Sequence, residues 1–274
     1  MSEQSTVLVV GATGSIGVHV VREALTRGRH VRALVRDASR AARVPEGAEI
    51  VIGDLTSAET LADAVAGIGS VVFVIGDLTS AETLADAVAG IGSVVFVHGS
   101  HGGHGVAEKV DYGAVANVLT VLDGRPVRIA LMTAVGTTDR ANEGHDWKRR
   151  AERLVRASGN RYTVVRPGWF DYNAPDERHI VFRQGDQYST ASPADGVIAR
   201  DQIARVLLDC LEIDAADHRT LELVAERGAA QEDLAPEFEA LVRDTGIDGA
   251  LDMPNMPLID EPATVRDDLS RLGR

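Results

Sequence analysis

Short apolar runs alternate along the chain with segments in which apolar residues recur every three to four positions. The apolar runs predict strands, and the helical spacing predicts helices between them. Because strands joined through helices pair in parallel by right-handed crossovers, the pattern predicts an α/β fold with a doubly wound parallel sheet and helices on both faces. The predicted strands are Thr6–Val10, His30–Val35, Glu49–Ile52, Val71–Val74, Val94–Val97, Arg128–Thr133 and Tyr162–Arg166, and the predicted helices are Ile16–Arg27, Ala38–Arg43, Val106–Leu122 and Asp146–Ser158.

The pattern changes towards the end of the chain of 274 residues. Residues 1–200 carry the alternation and are predicted to form one α/β domain. After about Asp201 the sequence becomes acidic and mainly helical in its spacing. Residues 201–274 are therefore predicted to form a small, mainly helical C-terminal part that packs on the same domain and closes its substrate side.

An exact repeat interrupts the alternation. The segment Val51–Val74 recurs letter for letter as Val74–Val97, at a period of 23 residues. Two copies without a difference do not make a solenoid, which needs at least three units. The simplest interpretation is a tandem duplication, spanning residues 51–97, that adds one turn, helix and strand to an otherwise complete domain.

Three placements of the added strand are open. It could extend the sheet edge beyond Glu49–Ile52, displace Glu49–Ile52 outward, or loop out onto a neighbouring subunit. The loop from Arg36 to Glu49 is short and unduplicated, which favours the first placement. An apolar strand such as Val71–Val74 needs cover at an edge, so this placement also predicts a homodimer.

Composition and charge argue against several classes of protein. The formal net charge of −13 disfavours a nucleic-acid partner, and no apolar run approaches the roughly 20 residues of a membrane-spanning helix. No signal-peptide pattern opens the chain. Cys210 is the single cysteine, so neither an intrachain disulfide nor a cysteine-built metal site is expected. We expect a soluble cytoplasmic protein that acts on a small molecule, without nucleic acid or membrane.

A glycine turn follows the first predicted strand. Its G-x-x-G-x-x-G spacing allows a tight turn, a close approach of the backbone to a pyrophosphate, and close packing of the next helix on the strand. That helix also offers free N–H groups and a positive dipole end to phosphates. We predict a Rossmann-type dinucleotide site here, formed by Gly11, Thr13, Gly14, Ser15, Ile16 and Gly17.

The end of the second predicted strand indicates which dinucleotide binds. Arg36 stands at the strand tip, where an arginine can pair with the 2′-phosphate of NADP, and Arg40 follows one helical turn later. Asp37 keeps NAD open, because an acidic side chain there would accept the ribose 2′-hydroxyl. We expect NADP(H), with NAD(H) as the alternative.

Five motifs are spread along nearly the whole chain, apart from one repeat copy. They are Gly11–Gly17, the Gly-Asp-Leu-Thr after the third strand, Asp111-Tyr112-Gly113, His145-Asp-Trp-Lys148 with Glu152, and Val165-Arg-Pro-Gly-Trp169. Together they resemble the atypical short-chain dehydrogenase/reductase superfamily, in its NAD(P)-binding, NmrA-like branch.

The resemblance implies further cofactor contacts. In that family the Asp-Leu pair after the third strand lies against the adenine, and here either copy of the pair could do so. The segment after the fourth strand lies near the ribose, and the Arg-Pro-Gly segment borders the nicotinamide. Carried over, these contacts fall on Asp54 and Leu55 or Asp77 and Leu78, on His98, Gly99 and Ser100, and on Pro167, Gly168 and Trp169.

The resemblance also implies a proton donor, which short-chain dehydrogenases supply with Tyr-x-x-x-Lys and a Ser or Thr at the end of the fifth strand. Lys148 stands at the position of this lysine, which binds the nicotinamide ribose in that family. Gly144 stands where the tyrosine is expected. Thr133 is present, although Ala134 could occupy the serine position. His145, Asp146 and Tyr172 could substitute for the missing donor, and the candidate catalytic residues are Lys148, Thr133 and His145.

Structural alternatives stand beside these roles. His145 could simply lie at a helix start that Asp146 caps, and Lys148 could form an ordinary helix-surface ion pair with Glu152. The histidines of His98–His104 could bind a metal, but a glycine-rich loop over the cofactor explains them better, and no metal is expected.

Two functions of different classes follow. The first is an NADPH-dependent oxidoreductase that transfers hydride to a small carbonyl or quinone-type acceptor, which the retained Lys148 favours. The second is a non-catalytic, NADP(H)-sensing regulatory protein of NmrA-like type, which the missing tyrosine favours. An isomerase or epimerase that uses a bound cofactor is the remaining alternative.

Overall fold

The computed structural model describes residues 7–10, 12–35, 38–52, 70–73, 93–97, 99–100, 105–187 and 190–273. The elements of the first half are β1 (Val7–Val10), α1 (Gly17–Thr26), β2 (Val31–Val35), β3 (Glu49–Ile52), β4 (Ser70–Phe73), β5 (Ser93–Phe96), α2 (Gly113–Leu122), β6 (Arg128–Met132), α3 (Glu143–Ala157) and β7 (Arg161–Pro167). The described strands of the first half lie where the apolar runs predict them, and helices follow β1 and β6. A 3₁₀ helix covers Ala38–Arg43, and a π-helical turn, Glu108–Tyr112, leads into α2.

The second half adds shorter strands and three helices. They are β8 (Trp169–Phe170), β9 (His179–Arg183), β10 (Val197–Ile198), α4 (Arg200–Glu212), β11 (Arg219–Glu226), α5 (Ala235–Glu239) and α6 (Ala263–Leu272). Within the described ranges, none of the helices is long and apolar enough to cross a membrane.

The strands of the described chain form one sheet in the order β3-β2-β1-β4-β5-β6-β7-β11-β10-β8, and β9 pairs with β11 beside this path. Neighbours from β3 through β7 to β11 are parallel, whereas β9 and β10 run antiparallel to β11. The strand order reverses between β1 and β4. Open α/β sheets bind ligands at such a reversal, outside the carboxyl ends of the strands. The predicted doubly wound α/β fold is confirmed.

Both strands of the repeat lie inside the sheet. β4 pairs with β1 through Val7↔Ser70 and with β5 through Val71↔Val94. Glu49–Ile52 keeps its place beside β2. The predicted edge placement of the added strand is therefore wrong. An interior position satisfies the backbone of this apolar strand on both sides, so the strand needs no partner subunit to cover it.

Two apolar layers cover the sheet. Helices α2, α3 and α6 pack on one face with Val94 and Phe96, and α1 and α4 pack on the other with Val95 and Val97. The alternation along β5 follows from the two-residue period of a strand. Burial on both faces explains why this parallel strand is a continuous apolar run.

Helix α3 begins earlier than its spacing predicts. Asn142 has an extended backbone, and its side-chain oxygen accepts a hydrogen bond from the N–H of Gly144 at 2.9 Å. Asn142 therefore caps the helix, and the interpretation of Asp146 as the cap is wrong. Asp146 lies inside the first turn and pairs with Arg140 at 2.7 Å.

Strand β11 lies in the part of the chain whose spacing predicts mainly helix. It extends the sheet beside β7, and all but the last of its residues are buried. Arg219 and Glu222 interrupt its apolar pattern, which hides the strand in the sequence. Arg219 donates to the carbonyl oxygen of Phe238, and Glu222 lies 3.7 Å from Arg166, contacts that only the tertiary structure creates.

Candidate functional site

The predicted phosphate-binding turn lies at the reversal of the strand order. Thr13, Gly14, Ser15 and Ile16 immediately precede α1, which begins at Gly17. Among the described residues no side chain caps this helix, and its first turn contains no acidic residue. Its N-terminal N–H groups and positive dipole end therefore suit a phosphate ligand.

Lys148 lies beside the segment that follows β5. Its ammonium pairs with the buried carboxylate of Asp111, and Ser100 Oγ donates to the same carboxylate at 2.5 Å. A Cβ on Gly99 would lie 3.9 Å from Lys148 Nζ. The structure thus brings Lys148 close to Gly99 and Ser100, and the resemblance assigns all three residues to the ribose. The alternative of a Lys148–Glu152 pair is wrong, because Lys148 turns towards Asp111 instead.

A cleft of about 420 Å³ opens beyond the carboxyl ends of β6 and β7. The Nδ1 atom of His145 is buried there without a hydrogen-bond partner among the described residues. Trp169 and Tyr172 form an edge-to-face pair with ring centroids 5.9 Å apart, and Tyr172 is 64% exposed. The cleft is lined by Ala134, Val135, Asp139, Asn142, His145, Pro167, Gly168, Trp169, Phe170, Ala191 and Asp195.

Packing explains one of the glycines of this cleft. A Cβ on Gly168 would lie 2.4 Å from the carbonyl oxygen of Gly196, and the next residue, Trp169, donates its N–H to that same oxygen at 2.9 Å. The close approach of the two backbones needs a glycine here. The Pro167-Gly168-Trp169 segment is therefore held firmly at the edge of the cleft.

Thr133 follows β6 but turns away from the cleft. Its hydroxyl donates to Glu152 Oε1 at 2.7 Å, while Ala134 lines the cleft in its place. Glu152 is completely buried and also accepts hydrogen bonds from Arg166 at 2.6 Å and Arg156 at 3.2 Å. Burial opposes its ionisation, but the two arginines outweigh burial and lower its pKa.

Four arginines of α3 hold the C-terminal segment. Asp248 pairs with Arg149 and Arg153, Glu261 pairs with Arg150 and Arg153, and Asp244 pairs with Arg156. The sequence indicates this cluster of arginines, because a spacing of three or four residues, as between 149, 150, 153 and 156, places side chains next to one another on a helix. Their partners lie about a hundred positions later in the chain, and nothing local indicates them.

Glu222 is a buried carboxyl group whose Oε1 accepts no hydrogen bond from the described residues. Burial raises the pKa of Glu222 to about 7, although the charge of Arg166, 3.7 Å away, opposes the rise. The negative charges of Asp186 and Asp252 raise this pKa further. The folded state therefore holds the proton of Glu222 more tightly than the unfolded chain, whose ordinary value is 4.5. Protonated Glu222 therefore stabilises the folded state fully below pH 4.5, and this stabilisation is lost as the pH rises to about 7.

Replacing Glu222 by Gln should stabilise the protein at high pH but not at low pH, because an amide resembles the protonated acid. The gain in the free energy of unfolding should grow from near zero at pH 4.5 to about 3 kcal/mol at pH 8. Urea unfolding at both pH values measures it. Glu226→Gln, at the exposed end of the same strand, is the matched control. An equal effect of Glu222→Gln at both pH values would contradict this prediction.

Several predicted site residues lie outside the described part of the chain: Gly11, Arg36, Asp37, Asp54, Leu55, Asp77, Leu78, His98, His101 and His104. Their roles stay predictions. In the described part of the chain, no group of three His, Cys, Asp or Glu side chains is placed to hold a metal ion.

The strand order and the turn at its reversal define a Rossmann-type α/β protein. A sequence profile described as NAD(P)H-binding matches residues 11–76 and 68–214, more than half of the chain. The chain therefore belongs to this NAD(P)H-binding family.

The chain is similar to several known proteins. Sanguinarine reductase from Eschscholzia californica is 26% identical over 264 residues, covering 88% of this chain and 96% of that protein. Photosystem II assembly factor Ycf39 from Cyanophora paradoxa is 44% identical over 68 residues, 24% of this chain, and the match spans 21% of that relative. A short-chain dehydrogenase/reductase from Veillonella parvula in complex with NADP has a TM-score of 0.51 at 15% identity, over 80% of this chain and 94% of that one. That likeness shows the fold.

Proposed function

We propose that the protein is an NADP(H)-dependent reductase that transfers hydride to a small carbonyl or quinone-type acceptor. The cleft beyond β6 and β7 carries this proposal, because it lies on the same side of the sheet as the phosphate-binding turn and borders the Pro167-Gly168-Trp169 segment. Membership of the NAD(P)H-binding family and the likeness to a reductase over most of both chains support it.

The residues of the site suit a dinucleotide. The turn Thr13–Gly17 and the N-terminus of α1 would hold the pyrophosphate, and Arg36 would pair with the 2′-phosphate of NADP. Gly99 and Lys148 would meet the ribose of the nicotinamide half, and Trp169 would border its ring. When bound, the reduced cofactor supplies the hydride.

The cleft suits a flat, largely apolar acceptor. Trp169 lines the cleft, with the ring of Tyr172 packed edge-to-face against it, and such aromatic groups pack well against conjugated rings. Gly144 cannot supply the proton that the acceptor oxygen needs, whereas the imidazole of His145 lines the cleft. We assign the proton donor to His145. Thr133 is hydrogen-bonded to Glu152 and positions that network rather than the acceptor.

One observation favours the second candidate, an NADP(H)-sensing regulatory protein without turnover. Lys148 is held by the carboxylate of Asp111, which compensates its charge before any ligand binds. Together with the glycine at the tyrosine position, this pairing would serve binding without catalysis. The NmrA-like assignment and the cytoplasmic location stay predictions.

The test is NADPH oxidation measured across a panel of carbonyl and quinone acceptors. At least one acceptor should give a rate above the uncatalysed rate. His145→Gln should then lower kcat by a factor of about 100 or more while leaving the Kd for NADPH unchanged, because a general acid typically contributes this much. His179→Gln, on β9 and away from the cleft lining, is the matched control. Tight NADPH binding with no turnover on any acceptor would instead support the sensing protein.

A further inference from the structure

The repeat separates two halves of the proposed cofactor site. β1 leads into the phosphate-binding turn, and β5 leads into Gly99, beside which Lys148 lies. β4 stands between these two strands and pairs with both. Neighbouring strands lie about 4.8 Å apart. β4 therefore moves Gly99 and Lys148, called here the Lys148 side of the site, about that distance away from the turn.

The two repeat strands are interchangeable in their pairing. β4 and β5 have the same four residues, Ser-Val-Val-Phe, and they pair with each other in register, Val71↔Val94. The serine of one copy pairs with β1 as Ser70↔Val7, and the serine of the other pairs with β6 as Ser93↔Arg128. One strand of this sequence could therefore pair with β1 on one edge and with β6 on the other without any change of register.

A single copy would also keep every side chain on its present face. A slip of one residue would turn a strand over, but the matched registers require no slip. In β5, Val94 and Phe96 face the layer of α2 and α3, while Val95 faces α1 and α4. Deletion of residues 74–96 joins Phe73 to Val97, so the chain leaves the remaining strand through the same residues as before.

The match between the chain and its family is divided into two stretches at this same place. The NAD(P)H-binding profile matches the chain in two stretches that overlap at residues 68–76, where the first copy passes into the second. The chain thus differs from its family at the point where β4 enters the sheet.

We propose that β4 is a spacer that widens the cofactor site, so that a dinucleotide held at the turn engages the Lys148 side weakly. This inference rests on the proposed NADP(H) site and adds the element that sets its affinity. Removing either copy of the repeat yields the same shortened chain, in which β1 would adjoin the strand that leads to Gly99. A dinucleotide of fixed length would then reach both halves of the site.

The experiment compares the full chain with the chain lacking residues 74–96. NADPH should bind the shortened chain about tenfold more tightly, which corresponds to one recovered charge-assisted contact. 2′,5′-ADP, which lacks the nicotinamide half, should bind both chains within about twofold. kcat/KM for NADPH should rise with the affinity.

Lys148→Ala shows whether the gain comes from the Lys148 side. It should weaken NADPH binding about tenfold in the shortened chain and less than threefold in the full chain, a coupling that a double-mutant cycle isolates. Lys109, the other lysine of the chain, is exposed, and Lys109→Ala is the matched control in both backgrounds.

Equal NADPH affinity of the two folded chains would overturn the spacer, and so would a tenfold effect of Lys148→Ala in the full chain. Circular dichroism and thermal melting report whether the shortened chain folds. If the shortened chain does not fold, measurements on the full chain alone test the proposal. A spacer requires NADPH to bind the full chain no more than about threefold more tightly than 2′,5′-ADP does. Failure of the full chain to bind either ligand would overturn the cofactor site itself, and the spacer with it.

Discussion

Arg166→Met is expected to lower the free energy of unfolding by about 4 kcal/mol, the largest effect on stability that we predict. Arg166 is completely buried and donates to Glu152 at 2.6 Å and to Asp252 at 2.7 Å. Burial opposes its charge, yet these two carboxylates raise its pKa. Removing one member of such a buried group leaves uncompensated charge in the interior, which costs about 3–5 kcal/mol. The methionine keeps the length of the side chain, so the lost charge dominates.

Urea unfolding at pH 7 measures this effect. Arg161→Met is the matched control, because Arg161 lies on the same strand but pairs with Asp214 at the surface. Exposed pairs contribute little, so the control should unfold almost as the natural protein does. Equal effects of the two substitutions would show that the buried network does not stabilise the fold.

Gly14→Asp is expected to weaken NADPH binding by a factor of about 100 or more. The added carboxylate would stand where the phosphates are proposed to bind, and each charge-assisted hydrogen bond lost there is worth about 1.5–3 kcal/mol. The same carboxylate near the positive end of α1 should leave stability unchanged or raise it by about 0.3–1 kcal/mol. Binding and stability should therefore move in opposite directions, which a general folding defect cannot produce.

The control for this substitution is Gly246→Asp. Gly246 is exposed, and a Cβ there would meet no atom within 4 Å. Calorimetric titration with NADPH and thermal melting with and without NADPH separate the two effects, because a ligand raises the melting temperature of a protein that binds it. A Gly14→Asp variant that binds NADPH as tightly as the natural protein would falsify the assignment of the turn.

The candidate site divides into parts that the sequence could and could not predict. The turn at Thr13–Gly17 and the position of Lys148 were predicted, because each lies in a local motif with a characteristic spacing. Asp111 as the partner of Lys148 and Asp252 as a partner of Arg166 were not predicted as pairs. Each pair joins residues far apart in the sequence, so no local pattern records the contact.

The helix cap and the repeat show the same limit. Asn142 and Asp146 are both good capping residues, and only the path of the backbone decided for Asn142. The two repeat strands are identical in sequence, so no property of either copy could indicate which neighbours it has in the sheet. Their places depend on pairing with β1 and β6, which are distant along the chain.

The sequence by itself determined the strands of the parallel sheet, the glycine turn and the NAD(P)-binding class of the protein. These follow from periodicity and turn chemistry, which act over a few neighbouring residues. The tertiary structure decided the interior position of β4, the strand β11, the partners of the buried arginines and the cleft beside Trp169. These depend on long-range pairing and on burial, where charges and backbone groups are satisfied by residues that only folding brings together.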